Sequence, residues 1–315
     1  MLRRTRFIAF TAIAGLSAVL IAAMAVTPTA QKSKRLRGPA TTTAERLIEG
    51  GTFEASGVVS VAGTDGVLFV DDGREDVVFW MRVDSDGQQL ERPVALPLGV
   101  QVGDLEGITT DGTWYYAIGS QSKAEFVEGP GLIRFRFDPA TGRIDGVESV
   151  SGLRRRLLSL LPSVARAAGQ REDGFNIEGL AWDHASKRLL LGLRSPVIDG
   201  HAIVLPLAVG EPQERLAPLD RLGVSEADIL RLPLDNAGIR SMEYDARTGG
   251  FLVVAASSGS PFRVWHWTGG SGASARLEVH ASFAARLKPE GIAPVSGHRA
   301  FTLIVFDTSR YLALP

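Results

Sequence analysis

A short signature recurs five times along the chain and predicts a repeat of small sheets. Each copy starts with Ser or Glu, usually followed by Gly and aliphatic residues, and a strand-like apolar run follows about ten residues later. The copies begin at Ser56-Gly57, Glu106-Gly107, Glu178-Gly179, Glu243-Tyr244 and Glu290-Gly291. Self-similarity at intervals of tens of residues is typical of solenoids and propellers. The repeat therefore constrains the fold more than any local motif does.

Further strand-like segments follow each signature. Several alternate apolar with polar residues, as at 132–137, which is the period of a half-buried strand. The first four copies each carry a fourth, more polar strand, at 89–96, 144–150, 211–217 and 275–281. The fifth lacks one, while the segment 44–49 precedes the first signature unassigned. We therefore predict an all-β protein, a β-propeller of five blades closed by an N-terminal outer strand.

Two repeats carry insertions, because the intervals after Glu106 and Glu178 exceed the roughly 40 to 50 residues of known blades. The first insertion, about 151–169, has apolar residues at helical spacing beside several arginines. It predicts a helical insertion in the second blade that covers a propeller face or docks on a membrane or a partner. The second insertion, about 218–236, is expected to pack beside the first. A degenerate sheet hidden there would give the alternative of six blades.

The N-terminal segment predicts export. Residues 7–26 form an apolar run after several arginines, and a small-x-small motif at 23–25 matches the site that signal peptidase reads. We expect a signal peptide over 1–25, a flexible basic leader over 26–43 and a single propeller domain over 44–315, periplasmic or secreted. The alternative is an uncleaved inner-membrane anchor, since the run approaches the roughly 20 residues needed to span a bilayer.

Composition limits the partners. The net charge is −1 at pH 7, and most of the early cations lie in the N-terminal segment, so the remaining body is mildly acidic. Such a body argues against nucleic acid as a partner. The sequence has no cysteine, which excludes disulfides, thiolate zinc sites and cysteine nucleophiles. A small molecule or an envelope protein remains as the expected partner, with membrane contact only through an uncleaved N-terminal segment.

Four stretches carry a family resemblance, namely 104–108, 175–181, 192–196 and 288–292. Together they resemble DUF3616, a family of bacterial propeller-like proteins of uncharacterised function, and the likeness spans about 53–315. A more distant resemblance is to the esterase-like phytase and gluconolactonase-type propellers, in which a Glu-Gly pair opening an inner strand can hold a divalent metal. Glu178-Gly179 is similar to that element, so the resemblance implies a metal ligand at Glu178.

The signature acids are candidate metal ligands. If the signature opens the innermost strand of each blade, its acids approach one end of the central channel, near Glu54, Asp104 and Asn176. We predict a calcium or magnesium site, since both ions prefer oxygen ligands, at Glu106, Glu178, Glu243 and Glu290. One alternative is that these glutamates anchor neighbouring blades, with Arg240 and Lys288 as compensating charges. A catalytic acid or base among them is another, although no individual catalytic residue is identified.

A second group of polar residues follows the second strand of several blades. The loops 119–123, 193–196 and 257–260 are rich in serine and include two cations. The arginine guanidinium is a planar fork suited to phosphate or carboxylate. We predict a ligand-binding rim formed by Lys123, Arg194, Asp72 and Asn176. The alternative is that Asp71, Asp72 and Asp307 neutralise the two cations.

Two functions remain open. The sequence contains no nucleophile elbow, phosphate-cradling loop or dinucleotide fingerprint, so no motif establishes an activity. The first hypothesis is an exported cell-envelope binding module that recognises a ligand or protein on the rim. The second is a divalent-metal-dependent hydrolase of phosphate esters, carboxylic esters or lactones, in which Glu106, Glu178 and Glu290 surround the ion and a metal-bound water is the nucleophile.

Overall fold

The computed structural model describes residues 45–211 and 214–315. The signal peptide and leader predicted at 1–43 lie outside the described residues and remain predictions. Within the described stretches, the strands are β1 (Arg46–Leu47), β2 (Ala55–Ser60), β3 (Val67–Asp71), β4 (Val77–Met81), β5 (Val94–Pro97), β6 (Leu105–Thr110), β7 (Tyr115–Gly119), β8 (Pro130–Asp138), β9 (Arg143–Ser151), β10 (Asn176–Asp183), β11 (Arg188–Ser195), β12 (Ala202–Leu207), β13 (Leu230–Leu232), β14 (Gly238–Asp245), β15 (Gly250–Ala256), β16 (Phe262–Trp267), β17 (Leu277–Phe283), β18 (Pro289–Ser296), β19 (Ala300–Phe306) and β20 (Arg310–Leu314).

These strands form five antiparallel sheets of four strands each. The first four sheets follow chain order, as β2-β3-β4-β5, β6-β7-β8-β9, β10-β11-β12-β13 and β14-β15-β16-β17. The fifth is β18-β19-β20-β1, in which Arg46 pairs with Tyr311 and Leu47 with Arg310. The predicted five-bladed propeller, closed by an N-terminal outer strand, is confirmed.

The first strand of each blade is innermost. β2, β6, β10, β14 and β18 each contact the corresponding strand of the next blade, and β18 contacts β2, so the five strands surround a central channel. Apolar side chains fill the spaces between facing sheets. Tyr116 of the second blade, for example, stacks on Trp182 of the third, with ring centroids 5.6 Å apart. Because each sheet packs on both faces, most core strands are buried along their whole length.

The outer strand of the third blade differs from the sequence prediction. It is β13 (Leu230–Leu232), which pairs with β12, and the predicted segment 211–217 is wrong. Side chains of the second blade bind this segment instead. The Leu216 amide donates to the Glu148 carboxylate at 2.6 Å, and Arg134 donates to the Glu214 carbonyl. These bonds satisfy backbone groups that a sheet ladder would otherwise need.

The predicted helical insertion is confirmed as two short helices after the second blade. They are α1 (Leu153–Leu160) and α2 (Pro162–Ala168). Pro162 occupies the first position of α2, where a missing N–H is tolerated. Leu153 and Leu157 pack in one apolar cluster with Leu222 of the second insertion, as expected. The remaining helical turns are 3-10 turns at Ala124–Phe126, Glu172–Gly174, Leu219–Arg221, Glu226–Asp228, Gly272–Ser274 and Ala285–Leu287.

Among residues 45–211 and 214–315, no helix has both the length and the apolar character needed to cross a membrane.

Candidate functional site

A β-bulge in each innermost strand sets the position of the signature residue. The pairing register shifts on either side of Glu106 in β6, Glu178 in β10 and Glu290 in β18. Each glutamate is therefore left out of the ladder, which is a common way to re-aim a side chain. The small Gly after it permits close packing, since a Cβ at Gly107 would lie 2.7 Å from Leu180 Cβ.

The fourth blade departs from this pattern. Its register shift lies between Ile239 and Ser241, so the residue outside the ladder is Arg240. The signature there is Arg240-Ser241, and the Glu243-Tyr244 copy expected from the sequence is three residues out of register. The available signal was a buried aliphatic residue directly before the bulge and a small residue directly after it. Glu243 obscured this signal by supplying the expected acid at nearly the expected place.

Arg240 neutralises two of the signature glutamates. Its Nη1 donates to Glu178 Oε2 and its Nη2 donates to Glu290 Oε1, both at 2.7 Å. Arg194 Nη1 donates to Glu178 Oε1, also at 2.7 Å. Burial raises the pKa of Glu290 to about 8, although the Arg240 charge opposes that rise. Compensation of these acids by Arg240, the alternative weighed from the sequence, is what the contacts show.

Glu106 has no such partner. Its side chain is 9% exposed, and within the described residues it makes no hydrogen bond or ion pair. Burial, reinforced by the nearby carboxylates of Glu178 and Asp104, raises the pKa of Glu106 well above its usual range. Burial and a hydrogen bond with Glu54 raise the pKa of Asp72 to about 7. Neither Glu106 nor Asp72 therefore forms an ion pair with a cationic side chain in the described residues.

Asp72, Asp104 and Glu106 form an acidic triad. One carboxylate oxygen of each lies within 4.8 Å of those of the other two. Asp104 has a backbone φ of 58°, in the left-handed region that Asp adopts more readily than most residues. Its Oδ2 accepts hydrogen bonds from the hydroxyls of Ser120 and Ser122, the second at 3.4 Å. Two buried serines therefore fix the position of the Asp104 carboxylate within the triad.

Asn176 carries a buried side-chain oxygen that has no hydrogen-bond partner among the described residues. Its side chain is 6% exposed, and its Nδ2 donates to Glu178 Oε1 at 3.3 Å. Its Oδ1 is buried without a hydrogen-bond partner among the described residues, as is Oδ1 of Asp72. Buried polar atoms in native proteins are nearly always hydrogen-bonded, so these two acceptors without partners indicate a missing donor or cation.

These groups line one cavity of about 710 Å³. Its walls come from the beginnings of innermost strands and the ends of second strands, which places it at one end of the channel. All four residues of the predicted rim line it, together with the serine loop at 257–260 and part of the two other loops. The acids Asp72, Asp104 and Glu106 are on its walls, and so are four cations, Lys123, Arg194, Arg240 and Lys288.

The predicted neutralisation of the rim cations by Asp71, Asp72 and Asp307 is wrong. In the described part of the chain, Asp307 pairs with Lys288, and Arg194 pairs with Glu178. Asp71 accepts hydrogen bonds from its own turn, including the Gly73 amide at 3.0 Å. The Lys123 ammonium lies 5.4 Å from the centroid of the Phe126 ring. Both rim cations thus keep polar donors available to the cavity.

Glu243 lies away from this cavity, inside the ring of blades. Its Oε1 accepts from the Thr109 hydroxyl at 3.1 Å and from the Tyr244 amide at 2.8 Å. Thr109 in turn accepts from the Trp182 amide at 3.1 Å, so this group joins three blades. Glu243 Oε2 is buried without a partner in the described residues, and burial raises the pKa of Glu243 to about 8.

Comparison with known proteins finds a matching family model but no activity. Residues 159–309 match the family model described as protein of unknown function, DUF3616. The predicted resemblance to DUF3616 is confirmed. The matched DUF3616 segment contains Glu178, Arg194, Arg240 and Glu290, whereas the acidic triad precedes it. No curated protein matches the chain in sequence.

Solved structures similar to this chain include proteins of several different kinds. A glucose dehydrogenase has 11% identity and a TM-score of 0.47, covering 86% of this chain and 99% of its own. The soluble aldose sugar dehydrogenase of Escherichia coli has 9% identity and a TM-score of 0.47, covering 86% and 98%. The WD40 repeats of RRP9 have 10% identity and a TM-score of 0.42, covering 89% and 99%. Likenesses this distant carry no argument about activity.

Proposed function

We propose that the chain is a binding module that receives a small molecule with a carboxylate or phosphate group in the cavity at the channel end. The observation that carries this proposal is the state of Arg194. Its side chain is 51% exposed in the cavity while Nη1 is fixed on Glu178. Its other N–H donors have no partner among the described residues. A guanidinium fixed at one nitrogen and free at the others is preorganised for an anion.

The cations that line this cavity support an anionic ligand. Arg194 shares the Glu178 carboxylate with Arg240, so one carboxylate serves two guanidinium groups. Lys123 lines the same cavity and forms no ion pair within the described residues. An anionic group bound here can accept hydrogen bonds from both Arg194 and Lys123.

The size and lining of the cavity suit a small ligand rather than a protein segment. Small-molecule sites generally measure roughly 300–1,000 Å³, and about 710 Å³ lies within this range. Serines at 257, 258 and 260 and Ser195 supply hydroxyl groups that donate or accept hydrogen bonds. A polar molecule with one anionic end and several hydroxyl groups matches these walls.

The test is calorimetric titration of the full chain with inorganic phosphate, glycerol phosphate, citrate and gluconate, with glucose as the neutral comparison. We expect saturable binding of at least one anion, weakened tenfold or more by Arg194→Gln. The control is Arg143→Gln, an exposed arginine on the outer strand β9, which should bind as the wild type does. Equal binding of glucose, or unchanged binding by Arg194→Gln, would contradict the proposal.

The hydrolase hypothesis has less support from the geometry. An ion surrounded by Glu106, Glu178 and Glu290 would have to displace Arg240 from two ion pairs of 2.7 Å. The breaking of buried ion pairs is costly because it leaves charges uncompensated. We therefore propose a binding function in preference to a hydrolytic one.

Export belongs to the same proposal. The apolar run at 7–26 supports a periplasmic or secreted location for the propeller, and an uncleaved run supports attachment to the inner membrane. N-terminal sequencing of the protein from periplasmic and membrane fractions checks this. A start near residue 26 supports cleavage, an intact N-terminus in the membrane supports anchoring, and recovery from the cytoplasm alone contradicts both.

A further inference from the structure

We infer that Asp72, Asp104 and Glu106 form a binding site for a divalent hard cation of the calcium or magnesium class. This inference does not depend on the anionic ligand proposed above, because its three ligands form no ion pair with Arg194 among the described residues. It also differs from the four-glutamate site predicted from the sequence, with which it shares Glu106 alone.

The spacing of the triad fits a single ion. Calcium binds oxygen at about 2.3–2.6 Å, so oxygens on opposite sides of one ion are roughly 5 Å apart. The three carboxylate oxygens lie within 4.8 Å of one another, so all three can reach the same ion. Asp72 follows β3 directly, while Asp104 and Glu106 flank Leu105 at the start of β6. The junction of two adjacent blades thus supplies the whole set.

A second observation points to a ligand independently of the acids. Asn176 is more than nine-tenths buried, and its Oδ1 has no hydrogen-bond partner in the described part of the chain. Its amide nitrogen is fixed on Glu178, so the oxygen is the free end of the group, and Asn176 lines the same cavity as the triad. An amide oxygen is a hard ligand like a carboxylate. The cavity that holds the triad therefore also holds an acceptor that has no partner among the described residues.

The site is held in shape before any ion arrives. The hydroxyls of Ser120 and Ser122 both donate to Oδ2 of Asp104, and Oδ1 has no donor among the described residues. Such supporting hydrogen bonds orient a ligand and strengthen a metal site. The left-handed backbone of Asp104, at φ 58°, turns this carboxylate away from ordinary strand geometry.

No basic side chain competes for the triad. Within the described residues, none of Asp72, Asp104 and Glu106 forms an ion pair with Lys, Arg or His. In the neighbouring blade, by contrast, Arg240 and Arg194 already occupy Glu178. Three clustered carboxylates that form no ion pair with a cationic side chain require either protons or a metal ion. At neutral pH a divalent ion satisfies more of their acceptors than protons do.

The experiment is calorimetric titration of calcium chloride and magnesium chloride into the full chain after chelator treatment and dialysis. We expect one saturable site per chain and a melting temperature that rises with the ion and falls with EDTA. Asp104→Asn and Glu106→Gln should each weaken binding at least tenfold. Asn176→Ala and Ser120→Ala, which leave all three carboxylates present, should weaken it several-fold.

The matched control is Asp145→Asn, an exposed acid on strand β9 of the same blade as Asp104, which should bind the ion as the wild type does. Circular dichroism in EDTA shows whether each variant is folded. No saturable binding at millimolar cation, or unchanged binding by folded Glu106→Gln, overturns the inference. Repeating the anion titration in EDTA, where the cation site is empty, separates the two proposals. Failure of the anion to bind there contradicts the Arg194 site and does not affect the cation site.

Discussion

Glu106 and Glu178 occupy the same bulge position on neighbouring innermost strands, yet their surroundings are opposite. Glu178 is 2% exposed and accepts from Arg240 and Arg194 at 2.7 Å. Glu106 is 9% exposed and has no ion pair within the described residues. The cause is the fourth blade, where Arg240 replaces the signature acid and reaches the blades on either side of it. The repeat sets the backbone position of each signature residue. The arginine at that position in the fourth blade decides that Glu178 and Glu290 form ion pairs while Glu106 does not.

The largest effect is expected from Arg240→Met, which breaks the comparison by removing the compensation. Glu178 would retain Arg194, while Glu290 would lose its ion pair. Removing one partner of a buried pair typically costs about 3–5 kcal/mol. Urea denaturation at neutral pH should show a loss of that size. Arg143→Met, on the exposed strand β9, is the control, and a loss no larger than that of the control would contradict the role of Arg240.

The second expected effect concerns Glu243, a buried acid that forms no ion pair with an arginine in the described part of the chain. Burial raises its pKa in the folded state to about 8, so folded Glu243 keeps its proton while the unfolded chain loses it above pH 4.5. Stability from this group is therefore full at low pH and falls as pH rises toward 8, at up to ~1.4 kcal/mol per pH unit. Glu243→Gln should gain about 2 kcal/mol on the wild type between pH 6 and pH 8.

Denaturation midpoints measured at several pH values check this prediction. Thr109→Val removes a hydrogen bond to Glu243 but leaves the titrating carboxyl, so it should lower stability while keeping the pH slope. A wild type and Glu243→Gln with the same pH dependence would show that Glu243 ionises freely in the folded protein.

The smallest effect sharpens the comparison directly. In EDTA, Glu106→Gln should be neutral or stabilising by about 1 kcal/mol, because it removes repulsion among buried carboxylates. Glu178→Gln should instead destabilise, since two arginines lose their shared acceptor charge. The two isosteric changes at equivalent positions therefore have opposite signs. Thermal melts of both variants give the answer, and equal shifts would show that the two sites are alike.

Much of the fold follows from local patterns. The alternation at 132–137 correctly indicated β8, and the missing fourth strand of the last repeat indicated closure by the N-terminal segment. The outer strand of the third blade could not be predicted in the same way. β13 has three residues, too few for periodicity, and the segment 211–217 is held by Arg134 and Glu148 from another blade.

The location of the site could be predicted from the sequence, but the pairing of its charged side chains could not. Lys123 follows β7 and Arg194 lies near the end of β11, and these positions bring both side chains to one cavity. Whether an acid is compensated depends on the bulge register of the fourth blade, where Glu243 resembled a signature residue and Arg240 did not. Long-range ion pairs of this kind leave no periodic trace in a sequence. The unpartnered oxygen of Asn176 likewise becomes evident only in three dimensions.

The closure of the ring has a consequence for how the molecule is made. Phe53 and Ser309, 256 positions apart, exchange hydrogen bonds beside the junction of β1 with β20. Pairings between distant residues slow folding, because the intervening chain must be ordered first. The four earlier blades use consecutive segments and can assemble as they emerge, whereas the fifth waits for its last strand. With two residues in β1, the ring should open first at this junction, and amide hydrogen exchange should be fastest there.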